Sequence, residues 1–316
     1  MTKKRAIVTL AIGTKYVKMF DEICRAGWED YAGRFGYDVI VIKEPLDTSE
    51  RAMARSPAWQ KLLILSQPWS ADYERIVWID SDILINTAAA GDVAAGVPVE
   101  RVGAVETWSI PDREVHAIAL RRQYADWQRN GVSFIDNLTP GAYYVNRGIP
   151  GGDLNDVVQT GVMVCSPRHH RTLFEQVYRD YEERGGAEWN YEMPALSYEL
   201  LQADCVTWIS PRFNYCVSNV MAAFYPHLLQ ARSSLAQRIW QRLSVALGRP
   251  SAPKAQLQAL EAIYHASAFT HFAGCSGLMA PLQVSLQRSV SRSPRARSGP
   301  GANPPSRTGF RSLSSA

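Results

Sequence analysis

The sequence predicts an α/β fold: a mostly parallel sheet with helices on both faces, forming one domain over residues 1–287, then a disordered basic tail over 288–316. Three features predict it. Short runs apolar at nearly every position, RAIVTLAI (5–12), YDVIVIKE (37–44) and RIVWI (75–79), fit strands buried on both faces. Segments with apolar residues at helical spacing stand between them. A content of 46% hydrophobic and 20% charged residues over 316 positions supplies enough apolar surface for a sizeable core.

Residues 5–12 read as the first strand, stopped at Gly13. The preceding Lys and Arg residues faintly imitate a signal peptide. The apolar part is short, however, lacks a small-residue cleavage pattern and runs straight into Lys15 and Lys18. Val17, Phe20, Cys24, Tyr31 and Phe35 fall near helical spacing, which predicts a helix up to Gly36 and then a buried strand over 37–44. Pro57, a favoured first helical residue, opens a helix through Gln67. Strands follow at 75–79 and 102–106. The second half predicts a strand over 157–167, helices over 168–184 and 192–203, and a strand at CVTWIS (205–210). Residues 229–248 form a basic amphipathic pattern on Leu229, Leu235, Ile239, Leu243 and Leu247, suited to packing on the body or to peripheral contact with a membrane or lipid acceptor. No run of about 18 apolar residues occurs, so no transmembrane segment is expected. The segment from Ser289 is low-complexity, and there is no internal repeat.

The net charge of +4 comes from the tail. Arg288–Ala316 holds six Arg and no acidic residue, and the remainder carries 28 basic against 30 acidic residues. That balance argues against a nucleic-acid binder with a broad basic face. Five scattered cysteines with no CxxC pair fit free, mostly buried thiols in a reducing compartment better than a disulfide framework.

The chemistry concentrates at RIVWIDSDILI (75–85), where Asp80-Ser81-Asp82 divides two apolar runs. Buried carboxylates cost several kcal/mol unless compensated. The pair stands where a parallel strand leaves the sheet, the end at which ligands bind in such folds. Alternation puts Asp80 and Asp82 on the same side of an extended chain, an arrangement suited to Mg²⁺ or Mn²⁺ together with substrate phosphate oxygens. A simple acidic turn is the alternative. A haloacid-dehalogenase-type phosphatase would carry this pattern on its first strand, with Thr or Val where Leu84 stands.

With its neighbours, this segment resembles the Asp-x-Asp region of GT-A glycosyltransferases. SPAWQKLLIL is similar to the W-x-K-L-x-x-L helix upstream of it in two retaining families. One is the α-galactosyl/α-mannosyl/xylosyltransferase family; the other, more distant, is the glycogenin and lipooligosaccharide galactosyltransferase family. QTGVMVCSP, YEMPALSYELL and THFAGC are similar to their later blocks in the same order, so the resemblance spans about residues 5–275. It implies a GT-A, Rossmann-like fold with a nucleotide-binding half over about 1–110 and an acceptor half over about 111–287. Thr9, Leu10 and Tyr16 would line the nucleobase pocket, and Lys61 would approach the donor's phosphate or sugar, although Lys61 also reads as a helix-surface charge. Asp80 would contact ribose, metal or both; Asp82 and His271 would complete the metal site, and Gly274 would lie near the diphosphate. His271 without the motif would read as an ordinary half-buried histidine.

The resemblance also implies that Gln159, standing where the families usually have Asn, helps bind the nucleotide-sugar donor; Glu192-Met193 stands where they usually have Asp-Gln. Glu192 keeps the carboxylate near the reacting sugar, with Glu188 a nearby competitor. Met193 loses an amide, which bears on sugar choice and acceptor geometry. The resemblance implies a Mn²⁺- or Mg²⁺-dependent retaining transfer of a hexose, galactose first, from a nucleotide-diphosphate sugar, first a UDP-sugar, to a glycan or glycolipid acceptor. The enzyme would be cytoplasmic, with peripheral membrane contact through 229–248. Trp108, Trp127, Tyr143, Tyr144 and Trp189 read either as sugar-stacking platforms or as core. A sugar-1-phosphate nucleotidyltransferase would normally show a Gly-rich basic first loop, whereas AIGTKY has one Gly and one Lys. A catalytically inactive nucleotide- or glycan-binding relative is the reading from another class.

Overall fold

The computed structural model describes residues 4–229 and 253–292. β1 (Arg5–Leu10) leads into one helical stretch made of α1 (Thr14–Met19), a π-helical turn over Phe20–Cys24, and α2 (Arg25–Phe35). Gly13 (φ 88°) and Gly36 (φ 71°) bound this stretch in the left-handed region that favours glycine. β2 (Asp38–Ile42) and α3 (Glu50–Ala54) follow. The helix expected from Pro57 forms over Pro57–Ser66 as successive 3₁₀ turns. In a threefold helix residues three apart share one face, and Trp59, Leu62 and Leu65 are all buried. The chain continues through β3 (Arg75–Ile79), β4 (Ile83–Ile85), β5 (Val102–Glu106), α4 (Arg113–Asn130), α5 (Pro140–Val145) and β6 (Val158–Cys165). Then come α6 (Pro167–Asp180), α7 (Met193–Gln202), β7 (Val206–Trp208), β8 (Tyr215–Cys216), α8 (Val217–Phe224) and α9 (Pro226–Leu229). The described chain ends with α10 (Lys254–Ala266), β9 (Phe269–His271) and α11 (Met279–Arg292).

The main sheet has six strands in the order β2-β1-β3-β6-β5-β7. Five run in one direction, and β6 is antiparallel to both its neighbours. Period-two alternation explains how apolar strands serve two cores at once. On β1 and β3, Ile7, Val77 and Ile79 pack with Phe20, Trp28 and Tyr31 on one side. Ala6, Val8, Ile76 and Trp78 pack with Trp59 and Leu62 on the other. β2, expected to be buried, is instead the half-buried sheet edge, paired with β1 alone.

A second sheet, β4-β9-β8, stands beside the first. β4 pairs antiparallel with β9, with Ile83 opposite His271. Asp80–Asp82 is therefore the crossing from the large sheet to the small one.

The amphipathic pattern beyond Leu229 and the tail beyond Arg292 lie outside the described residues, while α11 runs past the boundary expected at 287. Among the described residues no helix is long and apolar enough to cross a membrane. All five cysteines are free thiols.

Candidate active site

β3 delivers Asp80 to the carboxyl end of the sheet, where its backbone N–H donates to the Gly161 carbonyl of β6 (2.8 Å). Two residues on, the Asp82 carbonyl accepts from Phe272 N–H (3.0 Å), which ties the turn to the end of β9. These two backbone bonds hold the Asp-Ser-Asp turn between the sheets and bring His271 against it. His271 Nε2 lies 3.3 Å from Asp82 Oδ1 and 3.7 Å from Asp80 Oδ2. One ligand atom from each of the three residues falls within 4.8 Å of the others. The carboxylates remain open to a cleft, at 25% and 24% side-chain exposure, while His271 is buried.

The donor set fits a divalent cation. Two carboxylates with one imidazole suit Mn²⁺ and, less selectively, Mg²⁺. His271 Nδ1 donates to Asn214 Oδ1 (2.7 Å), so in the neutral ring the Nε2 lone pair faces the two aspartates. Asn214, fully buried, in turn donates to Gln159 Oε1 (2.9 Å), which also accepts from Gly161 N–H (2.6 Å). Burial opposes charge on both His271 and Asp82. Their mutual attraction prevails, holding the imidazole above and the carboxyl below its ordinary pKa. The site thus favours positive charge at this point, whether a proton on His271 or a cation shared by all three side chains.

Asp80 joins a second charged group. Lys61 Nζ lies 3.0 Å from Asp80 Oδ1 and 2.8 Å from Glu192 Oε1. Trp78 Nε1 donates to the same Asp80 oxygen (2.8 Å), and Thr160 Oγ1 donates to Glu192 Oε1 (2.9 Å). Lys61 and Glu192 are 4% and 2% exposed, so neither is a surface charge. Burial works against the Lys61 ammonium, but Asp80 and Glu192 outweigh it and raise its pKa. Burial pushes the Glu192 carboxyl up, and Lys61 opposes that rise. Glu192 is delivered by a turn whose two preceding residues, Asn190 (φ 58°) and Tyr191 (φ 52°), are both left-handed, a strained arrangement for non-glycine residues. Arg147 braces that turn by donating to the Glu188 and Trp189 carbonyls.

These groups line one cleft of about 690 Å³. Leu10, Tyr16, Lys61, Asp80, Asp82, Gln159, Glu188, Glu192, Met193, His271 and Gly274 all border it. Thr9 does not. It is fully buried, and its place beside Leu10 on β1 turns it to the opposite face of the sheet. Lys61 was expected to meet the donor, yet its amine already bridges two carboxylates. Gln159 was expected at the nucleotide, yet its Oε1 is committed to Asn214 and Gly161. Of the aromatic candidates, Trp108, Trp127 and Tyr143 border the cleft, whereas Tyr144 and Trp189 are not among its lining residues. Asn214, Thr160 and Trp78 had not been singled out. Asn214 and Thr160 act by contacts across the fold that nothing in their local sequence announces, whereas Trp78 reaches Asp80 two residues away from within an apolar run that reads as core.

No family model and no curated protein matches the chain. Among solved structures it is similar to a glycosyltransferase involved in glycosylation of the major capsid of PBCV-1, at 13% identity and a TM-score of 0.46, covering 88% of this chain and 99% of that one. It is also similar to the galactosyltransferase LgtC in complex with donor and acceptor sugar analogs, at 14% identity and a TM-score of 0.41, covering 92% and 97%. A third likeness is to the bifunctional glycosyltransferase WbbM, at 12% identity and a TM-score of 0.47, covering 86% of this chain and 46% of that one. At such identities no activity passes to this chain.

Proposed function

We propose that the protein is a metal-dependent glycosyltransferase that moves a hexose from a nucleotide-diphosphate sugar to a glycan or glycolipid acceptor. The observation that carries this reading is the meeting of Asp80, Asp82 and His271 in a cleft that also holds the Lys61–Glu192 pair. Asp80, Asp82 and His271 would hold a Mn²⁺ or Mg²⁺ ion. When bound, the ion supplies Lewis-acid stabilisation of the negative charge on a leaving diphosphate. Leu10 and Tyr16, at and just beyond the end of β1, fit the nucleobase, with residues 1–110 as the nucleotide half and 111–287 as the acceptor half. Gly274 (φ 69°) gives the turn after β9 a close backbone approach to the diphosphate.

The Lys61 bridge fixes the positions of Asp80 and Glu192, which is electrostatic preorganisation. Glu192 then presents a carboxylate to the positive charge that develops at the anomeric carbon. Retention by same-face attack uses the leaving phosphate to take the acceptor's proton. In a double displacement Glu192 would instead be the nucleophile, through Oε2, since Lys61 and Thr160 both engage Oε1. UDP-galactose is the first donor to test.

A screen of UDP-galactose, UDP-glucose, UDP-xylose and GDP-mannose for hydrolysis with Mn²⁺ tests the reading. Hydrolysis of one donor, abolished by EDTA, is expected. Nucleotide binding with no hydrolysis or transfer would instead favour an inactive binding protein.

A further inference from the structure

The cleft has a second wall, built by elements that contribute nothing to the metal centre: the 107–109 turn, α4, the 132–137 segment and the start of α8. His116 on α4 is its central polar group. The residue is 1% exposed, and its Nδ1 lies 2.8 Å from the Ile110 carbonyl. A carbonyl only accepts, so Nδ1 carries the hydrogen. Burial holds the imidazole below its ordinary pKa and hence neutral, which leaves Nε2 as a bare acceptor. Nε2 has no partner among the described residues, and the ring borders the cleft. Close by on the same wall, Gln123 Nε2 donates to Asn219 Oδ1 (3.2 Å), leaving the Gln123 oxygen and the Asn219 amide hydrogens for a ligand. Trp127, half-buried and packed against Tyr124 and Phe134, offers an indole surface.

None of the lining residues within 107–137 or 216–219 is Asp, Glu, Lys or Arg. Arg147, elsewhere in the cleft, already donates to Asn137 Oδ1 and to the carbonyls of Tyr143, Glu188 and Trp189. An anionic ligand would lose its hydration on this wall and find no charge to compensate. A neutral pyranose fits, since its C–H face stacks on an indole and its hydroxyls both donate and accept.

We propose that this wall is the acceptor subsite, that it takes a neutral glycosyl unit stacked on Trp127, and that His116 Nε2 accepts a hydrogen bond from one of its hydroxyls. The proposal rests on the glycosyl-transfer reading, and two separate titrations of the full-length protein keep the two apart. The first measures UDP affinity with Mn²⁺. The second, on the UDP–Mn²⁺ complex, follows tryptophan fluorescence against neutral disaccharides (lactose, maltose, mannobiose) and against glucuronic acid and glucose 6-phosphate.

At least one neutral disaccharide should bind, and the acidic sugars should not. His116→Asn keeps a donor toward Ile110 but removes Nε2, and should weaken the neutral ligand about threefold to tenfold. His116→Gln places an amide oxygen near the Nε2 position and should restore part of the loss, which a merely structural role for the ring would not produce. UDP affinity should hold in both variants. Acidic sugars binding as well as neutral ones, no neutral sugar binding, or unchanged affinity in His116→Asn would each overturn the subsite. Failure of the wild-type protein to bind UDP with Mn²⁺ would instead overturn the transfer reading.

Discussion

Gly161 occupies a point where no side chain fits. A Cβ there would lie 2.6 Å from His271 Cε1 and 2.9 Å from its Nδ1, with Gln159 Oε1 3.1 Å away. The imidazole can therefore reach the aspartates only because residue 161 has no side chain. Gly161→Ala should displace the ring and weaken Mn²⁺ binding by about 10-fold to 100-fold, the range for lost ligand orientation. Mn²⁺ titration by electron paramagnetic resonance checks this, and unchanged affinity would refute the packing argument. At this scale the sequence was partly legible. Carboxylates within an apolar run stand out because burying them needs compensation. Asn214 does not stand out, since an asparagine in SPRFNYC looks like any loop residue until β8 and β9 carry it to His271.

The elements that assemble the site are short. β4, β8 and β9 have three, two and three residues, too few to display any period, so the small sheet could not be anticipated. The longer apolar strands could, within a residue or two at most ends. The Pro57 helix was legible as helical but not as 3₁₀, because its buried residues at 59, 62 and 65 also satisfy an α-helical reading.

At the β6–α6 junction, His170 closes the first turn of the helix. Its Nδ1 accepts from Ser166 N–H (2.9 Å), and its Nε2 donates to the Glu100 carbonyl (3.0 Å). Burial holds its pKa below the ordinary histidine value. Between that lowered value and the unfolded value of about 6.5, the unfolded chain binds more protons than the folded one. The stability that His170 contributes should therefore fall as pH drops below about 6.5. His116, also lowered by burial, contributes with the same sign. His170→Gln should lose about 1 kcal/mol at pH 7 but show a shallower decline from pH 7 to 5. Urea unfolding at pH 7, 6 and 5 provides the check. Parallel declines in the two proteins would remove His170 from the account.

Across the whole molecule, the α/β class and helices on both faces were legible from continuously apolar strands. The reversal of β6 was not, because a strand buried on both faces reads the same in either direction. That reversal matters: it places Gln159, Thr160 and Gly161, at the start of β6, beside the carboxyl end of β3, where they meet Asn214, Glu192 and Asp80. The cleft thus draws on both ends of the chain, with Leu10 and Gly274 among its walls. The most direct test of the central claim is calorimetric titration of UDP into the wild-type protein with Mn²⁺, into the same protein with EDTA, and into Asp82→Ala with Mn²⁺. The account predicts that affinity falls by at least about tenfold in the second and third titrations. Equal UDP affinity in all three would contradict it.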